Sequence, residues 1–119
     1  LGPTIAAGVD PASALAQEEV FGPVLSVIGF DTIDQAIAIA NNSRYLLAAM
    51  NWSSDVNTIL HASKRLVAGV IHVNGGAGPL VELPHGGFKE SGSGRDRSLH
   101  AIDKYADLKT VILRSAAPA

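Results

Sequence analysis

The chain has 119 residues, which suits one domain or a piece of a larger one, and its 47% hydrophobic content with a mean hydropathy of +0.24 excludes a disordered tail. A formal charge of −2 and a pI near 6.0 leave no electrostatic footprint for nucleic acid or an acidic membrane. With zero cysteines there is no disulfide, thiolate metal site or thiol nucleophile among these residues, and no apolar run approaches the ~18 residues of a bilayer span. A compact fold of this size hides about two-thirds of its unfolded surface, so the length allows a genuine core. The chain opens at Leu1, its only methionine is Met50 and no signal-peptide pattern shows, so a truncated or trimmed piece is expected.

In chain order, the short apolar stretch Pro3 to Val9 predicts a strand. The near-continuous run Val24 to Phe30 predicts another, of the kind covered on both faces. Thr32-Ile33-Asp34-Gln35 has the T-x-x-Q form of a capping box, and Ile33, Ala36, Ile37 and Ala40 then share one helical face until Asn41-Asn42-Ser43 ends it. Residues 48–52 fit a short strand with Trp52 at its end. Ser53 or Ser54 is expected to cap a second helix, with Val56, Ile59, Leu60, Ser63 and Leu66 on its inner face and Gly69 as a left-handed C-terminal cap. Val70 to Val73 is a further apolar strand. From Asn74 to Arg95 the chain is rich in Gly and Pro and aperiodic, the mark of a long functional loop. A short helix with Leu99, Ile102 and Ala106 on one face and a last strand, Leu108 to Leu113, complete the pattern. The βαβαβ alternation predicts an α/β protein with a parallel sheet.

Two segments carry candidate chemistry. In the first, Gln17-Glu18-Glu19-Val20-Phe21-Gly22-Pro23-Val24-Leu25, neighbouring carboxylates on extended backbone point to opposite sides and cannot serve as an acid/base pair on one substrate. Taken alone, they describe a solvated acidic patch before a turn that Pro23 fixes, and Phe21 describes ordinary core. The second is Pro84-His85-Gly86-Gly87-Phe88-Lys89-Glu90-Ser91-Gly92-Ser93-Gly94-Arg95-Asp96. Gly92-Ser93-Gly94 lacks the third glycine of a dinucleotide fingerprint and the strand before it, and no Gly-Lys-Ser/Thr is present. Its glycines therefore point to tight turns and close backbone approach. His61, His72, His85 and His100 show no ligand spacing, so no metal is expected.

The first segment resembles the E-E-x-F-G-P-V signature of the aldehyde dehydrogenase superfamily, and the second resembles its P-F-G-G-[FY]-K-x-S-G-x-G-R-[ED] segment. Ala38-Ile39-Ala40-Asn41-Asn42 and Val73-Asn74 resemble landmarks of the same family in the same order, so the likeness covers nearly the whole chain. It implies part of a doubly wound parallel sheet: the C-terminal part of a catalytic domain over 1–107, and an oligomerisation strand and tail over 108–119. The activity implied is NAD- or NADP-dependent oxidation of an aldehyde to a carboxylic acid, by a cytoplasmic homo-oligomer with no nucleic-acid or membrane partner. The family's nucleophilic cysteine, glutamate base and dinucleotide-binding domain lie upstream, so this chain is expected to hold no catalytic residue and to be inactive alone. Glu19 aligns with the glutamate that holds the nicotinamide ribose hydroxyls, and Phe21 with the aromatic beside the nicotinamide ring.

His85 stands where most members carry phenylalanine in the substrate pocket, and Pro79 belongs to the same substrate-lining stretch. Pro79 to Gly87 resembles aminobutyraldehyde and related aminoaldehyde dehydrogenases, which share P-H-G-G; His85 with nearby Glu82 would suit a cationic or polar aldehyde. Arg95 aligns with an arginine near the subunit contact, and a plain surface salt bridge is an equal alternative. Three departures stand out. Leu46 replaces a glycine that a positive φ would demand, Asn51 replaces an apolar residue, and Gly75 to Gly78 replaces a bulkier loop. They fit divergent specificity or a non-catalytic relative, a structural or interaction protein built on the same fold.

Overall fold

The computed structural model describes residues 2–76 and 80–115. Parallel pairing arises twice. Strand β1 (Thr4–Ala7) runs through the single-turn helix α1 (Ala14–Gln17) to β2 (Val24–Val27), which pairs with it from Thr4↔Val24 to Ala7↔Val27. Farther on, β4 (Ala48–Asn51), helix α3 (Val56–Arg65) and β5 (Val70–Val73) form a second β-α-β passage, in register from Ala48↔Val70 to Asn51↔Val73. Between them lie helix α2 (Ile33–Asn41) and the two-residue strand β3 (Tyr45–Leu46). A third pair is antiparallel: β6 (Phe88–Lys89) returns from the glycine-rich segment onto β3, with Leu46↔Phe88 in register. The fold is thus mixed α/β with parallel pairs, as the alternation predicts. The predicted loop 74–95 contains a strand, which its glycines concealed.

Local chemistry sets the helix ends. Thr32 Oγ1 accepts from the Gln35 amide at 3.2 Å, while Gln35 Oε1 accepts from the Asp31 amide at 2.6 Å, so the box closes one residue early. The cap of α3 is Asp55, not Ser53 or Ser54: its carboxylate accepts from the amides of Asn57 (3.3 Å) and Thr58 (2.9 Å). Ser53 instead accepts from the Asp55 amide at 3.1 Å, a supporting turn one step upstream. Gly69 is not a left-handed cap either. α3 ends at Leu66 with φ −67° and ψ 127°, and Gly69 lies outside the positive-φ set.

The core sits where α2 and α3 meet β3 and β4, and it is small: Ile37, Leu46 and Ala62 are its buried apolar side chains among the described residues. Buried Asn51 joins them with its amide satisfied, donating to the Ile59 carbonyl at 3.3 Å. Leu46 needs no glycine-like backbone; it is an ordinary strand residue, 6% exposed. The accessible surface is 9237 Å², whereas a compact monomer of 12.3 kDa would show about 6,100 Å². The radius of gyration is 21.2 Å against about 13.5 Å for a compact chain of this length. Val56 and Leu60 on α3, expected inside, are exposed, as are Leu99 and Ile102 of the 3₁₀ helix Leu99–Lys104. Paired Ile5 and Leu25 are likewise uncovered, so the β2 run has no layer over that face within this chain. Residues 108–113 form no strand here, and their apolar side chains are exposed.

Candidate functional site

Two tight turns shape the first motif. The Gly22 amide donates to the Val20 carbonyl at 2.7 Å and the Val24 amide to the Gly22 carbonyl at 2.8 Å, so Phe21 and Pro23 each sit at the tip of a three-residue turn. The Thr4 amide, donating to the Pro23 carbonyl at 2.9 Å, anchors the second turn to β1. The consequence is outward presentation. Phe21 is 98% exposed, not core, and Glu19 is exposed with no ion pair or hydrogen bond among the described residues. Both Glu19 oxygens are thus free to accept, and the aromatic ring two residues on offers a bare face.

The second motif is bound into its own chain. A Cβ on Gly69 would overlap the Gly86 carbonyl, one on Gly86 would meet the Gly94 carbonyl, and one on Gly87 would strike Ser91. These glycines are selected by close approach, which the sequence predicts for the glycine-rich segment but not for Gly69. Arg95 Nη1 donates to the carbonyls of Gly87 (2.9 Å) and Gly94 (2.8 Å), and its guanidinium lies 4.8 Å from the centre of the Phe88 ring. Arg95 is therefore an internal strut, not half of a surface salt bridge. Lys89, at φ 50°, donates through Nζ to the carbonyls of Asn41 (3.1 Å) and Ser43 (2.9 Å), placing a cation on the C-terminal end of α2. The Leu46 amide donates to Ser91 Oγ at 3.0 Å. Arg44 and Glu90 pair at 2.8 Å, and that bond holds the guanidinium even above its ordinary value.

Two of the three asparagines of the family landmarks, Asn41 and Asn74, act as splints. Asn41 Nδ2 donates to the Arg65 carbonyl and its Oδ1 accepts from the Val67 amide, each at 2.8 Å, locking the end of α2 to the end of α3. Asn74, at φ 53°, exchanges side-chain bonds with the Ser53 backbone at 2.9 and 2.8 Å, tying the end of β5 to the end of β4. Their place in the motifs marked them; their work did not show in spacing.

His85 exchanges backbone bonds with Asp96 at 2.8 and 2.7 Å, which fixes one wall of a cleft of about 690 Å³. The Asp96 carboxylate accepts from Lys104 Nζ at 2.9 Å, and this bond and charge hold its carboxyl below the ordinary range. The cleft is lined by His72, His85 and Arg97 among apolar neighbours, and Glu82, the carboxylate expected beside His85, is not in its lining. His72 and Arg97 had no motif to announce them. Pro79 lies outside the described residues. Among those residues no group of three or more His, Asp or Glu side chains could hold a metal, and no helix is long and apolar enough to cross a membrane.

The aldehyde dehydrogenase family model matches residues 1–111, and the chain belongs to that family. It is 46% identical over 111 residues to the NADP/NAD-dependent aldehyde dehydrogenase PuuC of Escherichia coli, covering 93% of this chain and 22% of that protein. The aminoacetaldehyde dehydrogenase of Pseudomonas aeruginosa is also 46% identical, over 92% of this chain and 22% of its own. Among solved structures, the P. syringae indole-3-acetaldehyde dehydrogenase AldA in complex with NAD+ and IAA matches with a TM-score of 0.85 and 51% identity, covering 90% of this chain and 22% of that one. An NAD-dependent aldehyde dehydrogenase from Sinorhizobium meliloti matches with a TM-score of 0.86 and 41% identity, covering 98% and 23%. The chain thus spans a little over a fifth of the relatives it matches.

Proposed function

We propose that this chain is the C-terminal portion of an NAD(P)-dependent aldehyde dehydrogenase catalytic domain, without activity by itself. The observation that carries the reading is the family match over 1–111 together with exposed Glu19 and Phe21, which have no bonded side-chain partner among the described residues. The free Glu19 carboxylate is an apt double acceptor for the two hydroxyls of a ribose, and Phe21 would lie against the adjoining ring. When bound, the nicotinamide cofactor accepts hydride from the aldehyde carbon. This chain's part is orientation. A cysteine nucleophile, the water-activating base and the phosphate-binding elements would come from the remainder of the protein.

On this reading the parallel pairs β1–β2 and β4–β5 belong to a larger doubly wound sheet, whose other layers cover Ile5, Leu25 and the outer face of α3. Residues 108–113, exposed and unpaired here, are read as an edge completed by another subunit; deleting 108–119 should shift the mass of the whole enzyme downward in light scattering. Polar aldehydes are the proposed substrates, given the P-H-G-G segment and the aminoacetaldehyde dehydrogenase relative.

The test uses the complete enzyme. Replacing Glu19 by Gln removes a charged acceptor, a loss of ~1.5–3 kcal/mol, so hydride transfer should slow roughly ten- to a hundredfold. Single-turnover kinetics with a deuterated aldehyde report that step. An unchanged rate would remove Glu19 from the cofactor site.

A further inference from the structure

We propose that the cleft between β5 and residues 80–85 recognises a carboxylate on an apolar tail, with Arg97 as the charge partner and the imidazoles of His72 and His85 beside it. This deepens the reading of the cleft as the aldehyde pocket, because it narrows the polar end of the substrate to an acid.

The first argument is the balance of charge. The described lining contains a guanidinium and two imidazoles and no carboxylate. The nearest acids in sequence are elsewhere: Glu82 is exposed outside the lining, and the Asp96 side chain is held by Lys104 at 2.9 Å. Arg97 makes no ion pair among the described residues and is half-buried; the Asp96 carboxylate acts on it only through space, its own bond going to Lys104. A half-buried cation without a partner favours an anionic ligand over an ammonium, which it repels.

The second argument is backbone conformation. Arg97 and Ser98 stand consecutively at φ 61° and 53°, the left-handed region that glycine occupies freely and other residues at a cost. Glycine is plentiful on either side of the cleft, yet an arginine fills this position. Strained non-glycine backbone concentrates where a side chain is used. Here the side chain reaches the cleft wall.

The third argument selects among anions. Apart from its nitrogens the cleft presents Leu80 and Leu83, and its volume of about 690 Å³ lies in the usual ligand range of roughly 300–1,000 Å³. Such walls gain by covering an alkyl chain and do little for a compact, heavily hydrated phosphate. A carboxylate joined to several methylenes satisfies both halves, and Arg meets its two oxygens with matched geometry.

The experiment titrates the complete enzyme, its histidines selectively labelled, with hexanoate, hexylammonium or inorganic phosphate while NMR follows the His72 and His85 imidazole signals. Hexanoate should shift both signals saturably, and the other two should leave them in place. Arg97→Gly removes the charge while relaxing the positive φ, so a loss of affinity there cannot be blamed on strain. Arg97→Gly and Arg97→Gln should each weaken hexanoate by about tenfold or more, and Arg97→Lys should keep most of the binding. Absence of saturation, equal binding of hexylammonium or phosphate, or an unchanged affinity in Arg97→Gly would each overturn the proposal. The titration involves neither cofactor nor turnover, so its failure leaves the role of Glu19 intact, and an inactive complete enzyme leaves the carboxylate site intact.

Discussion

The two family motifs fold by opposite logic. Residues 84–96 are satisfied from within: glycine backbones touch, Arg95 braces two carbonyls, Lys89 closes the end of α2, and Ser91 Oγ accepts from the Leu46 amide. Residues 18–25 are satisfied only along their backbone, and the side chains that matter, Glu19 and Phe21, face away from everything described here. One motif makes a scaffold and the other makes a contact. A shared sequence signature can therefore record internal packing or an external ligand, and only the direction of the side chains tells which.

The sharpest break in that contrast is Gly69→Ala. The new methyl would meet the backbone carbonyl of Gly86, which no rotamer change can move aside. Over-packing of this kind costs about 1–3 kcal/mol, and an immovable neighbour puts it at the upper end. In so small a core the glycine segment should detach from β3, and amides around Phe88 to Gly92 should lose hydrogen-exchange protection. Protection equal to the parent would show that the scaffold is not braced by this approach. Thr32→Ala is the next step down. It removes the acceptor for the Gln35 amide, and the loss of such a cap costs about 1 kcal/mol. A urea midpoint displaced downward by that amount is expected, with no change in the cleft's ligand titration.

Much of this was legible from residue order. The capping threonine, the helix ending at Asn41 and the parallel alternation all rest on short-range rules, and those rules hold, although Ala40, expected on the inner face, is exposed. Where several residues can do one job, the sequence leaves a choice: Ser53, Ser54 and Asp55 all cap well, and Asp55 wins because its two oxygens serve two amides at once. A glycine after a helix signals a left-handed cap and a close approach equally, and Gly69 is the second kind. Periodicity names the apolar face of α3 but not what lies over it, so Val56 and Leu60 end up exposed. Outward-facing Glu19 and Phe21 came from resemblance alone, and Arg97 from neither source, since a single cation beyond a motif has no spacing to betray it.

Acid should loosen the scaffold at one definable point. Asp34 on α2 receives His61 Nε2 at 2.7 Å and Arg65 Nη1 at 3.0 Å from α3. The His61 bond, with a smaller contribution from Arg65, holds the Asp34 carboxyl below its ordinary value of 3.8. A folded-state value below the unfolded one means that the tie is fully present above the unfolded value and fades as pH falls through the folded value. The urea midpoints of the parent and Asp34→Asn should thus differ near neutral pH and converge as acid takes the pH below 3.8 and through the lowered folded value. All three side chains are solvent-exposed, so the difference should be small. A gap that persisted unchanged through that window would mean that the bonds to Asp34 contribute nothing to the joint between the helices.

The smallest expected effect is also the most diagnostic for the outward motif. Phe21→Ala deletes a whole aromatic ring, and in a packed core such a change costs about 3–5 kcal/mol. Here the ring is 98% exposed at the tip of a turn whose bonds are all main-chain, from the Gly22 amide to the Val20 carbonyl and from the Val24 amide to the Gly22 carbonyl. Nothing in the chain loses a contact when the ring goes, so the urea midpoint should stay within the ~0.5 kcal/mol typical of surface substitutions. Glu19→Gln should be equally silent, its carboxylate having no partner to lose among the described residues. The same two substitutions, placed in a complete enzyme, should act on cofactor positioning while its folding stability barely moves. A marked destabilisation of the chain by Phe21→Ala would mean that the ring is packed in solution, and the division between an internal scaffold and an external contact would fail at its clearest residue.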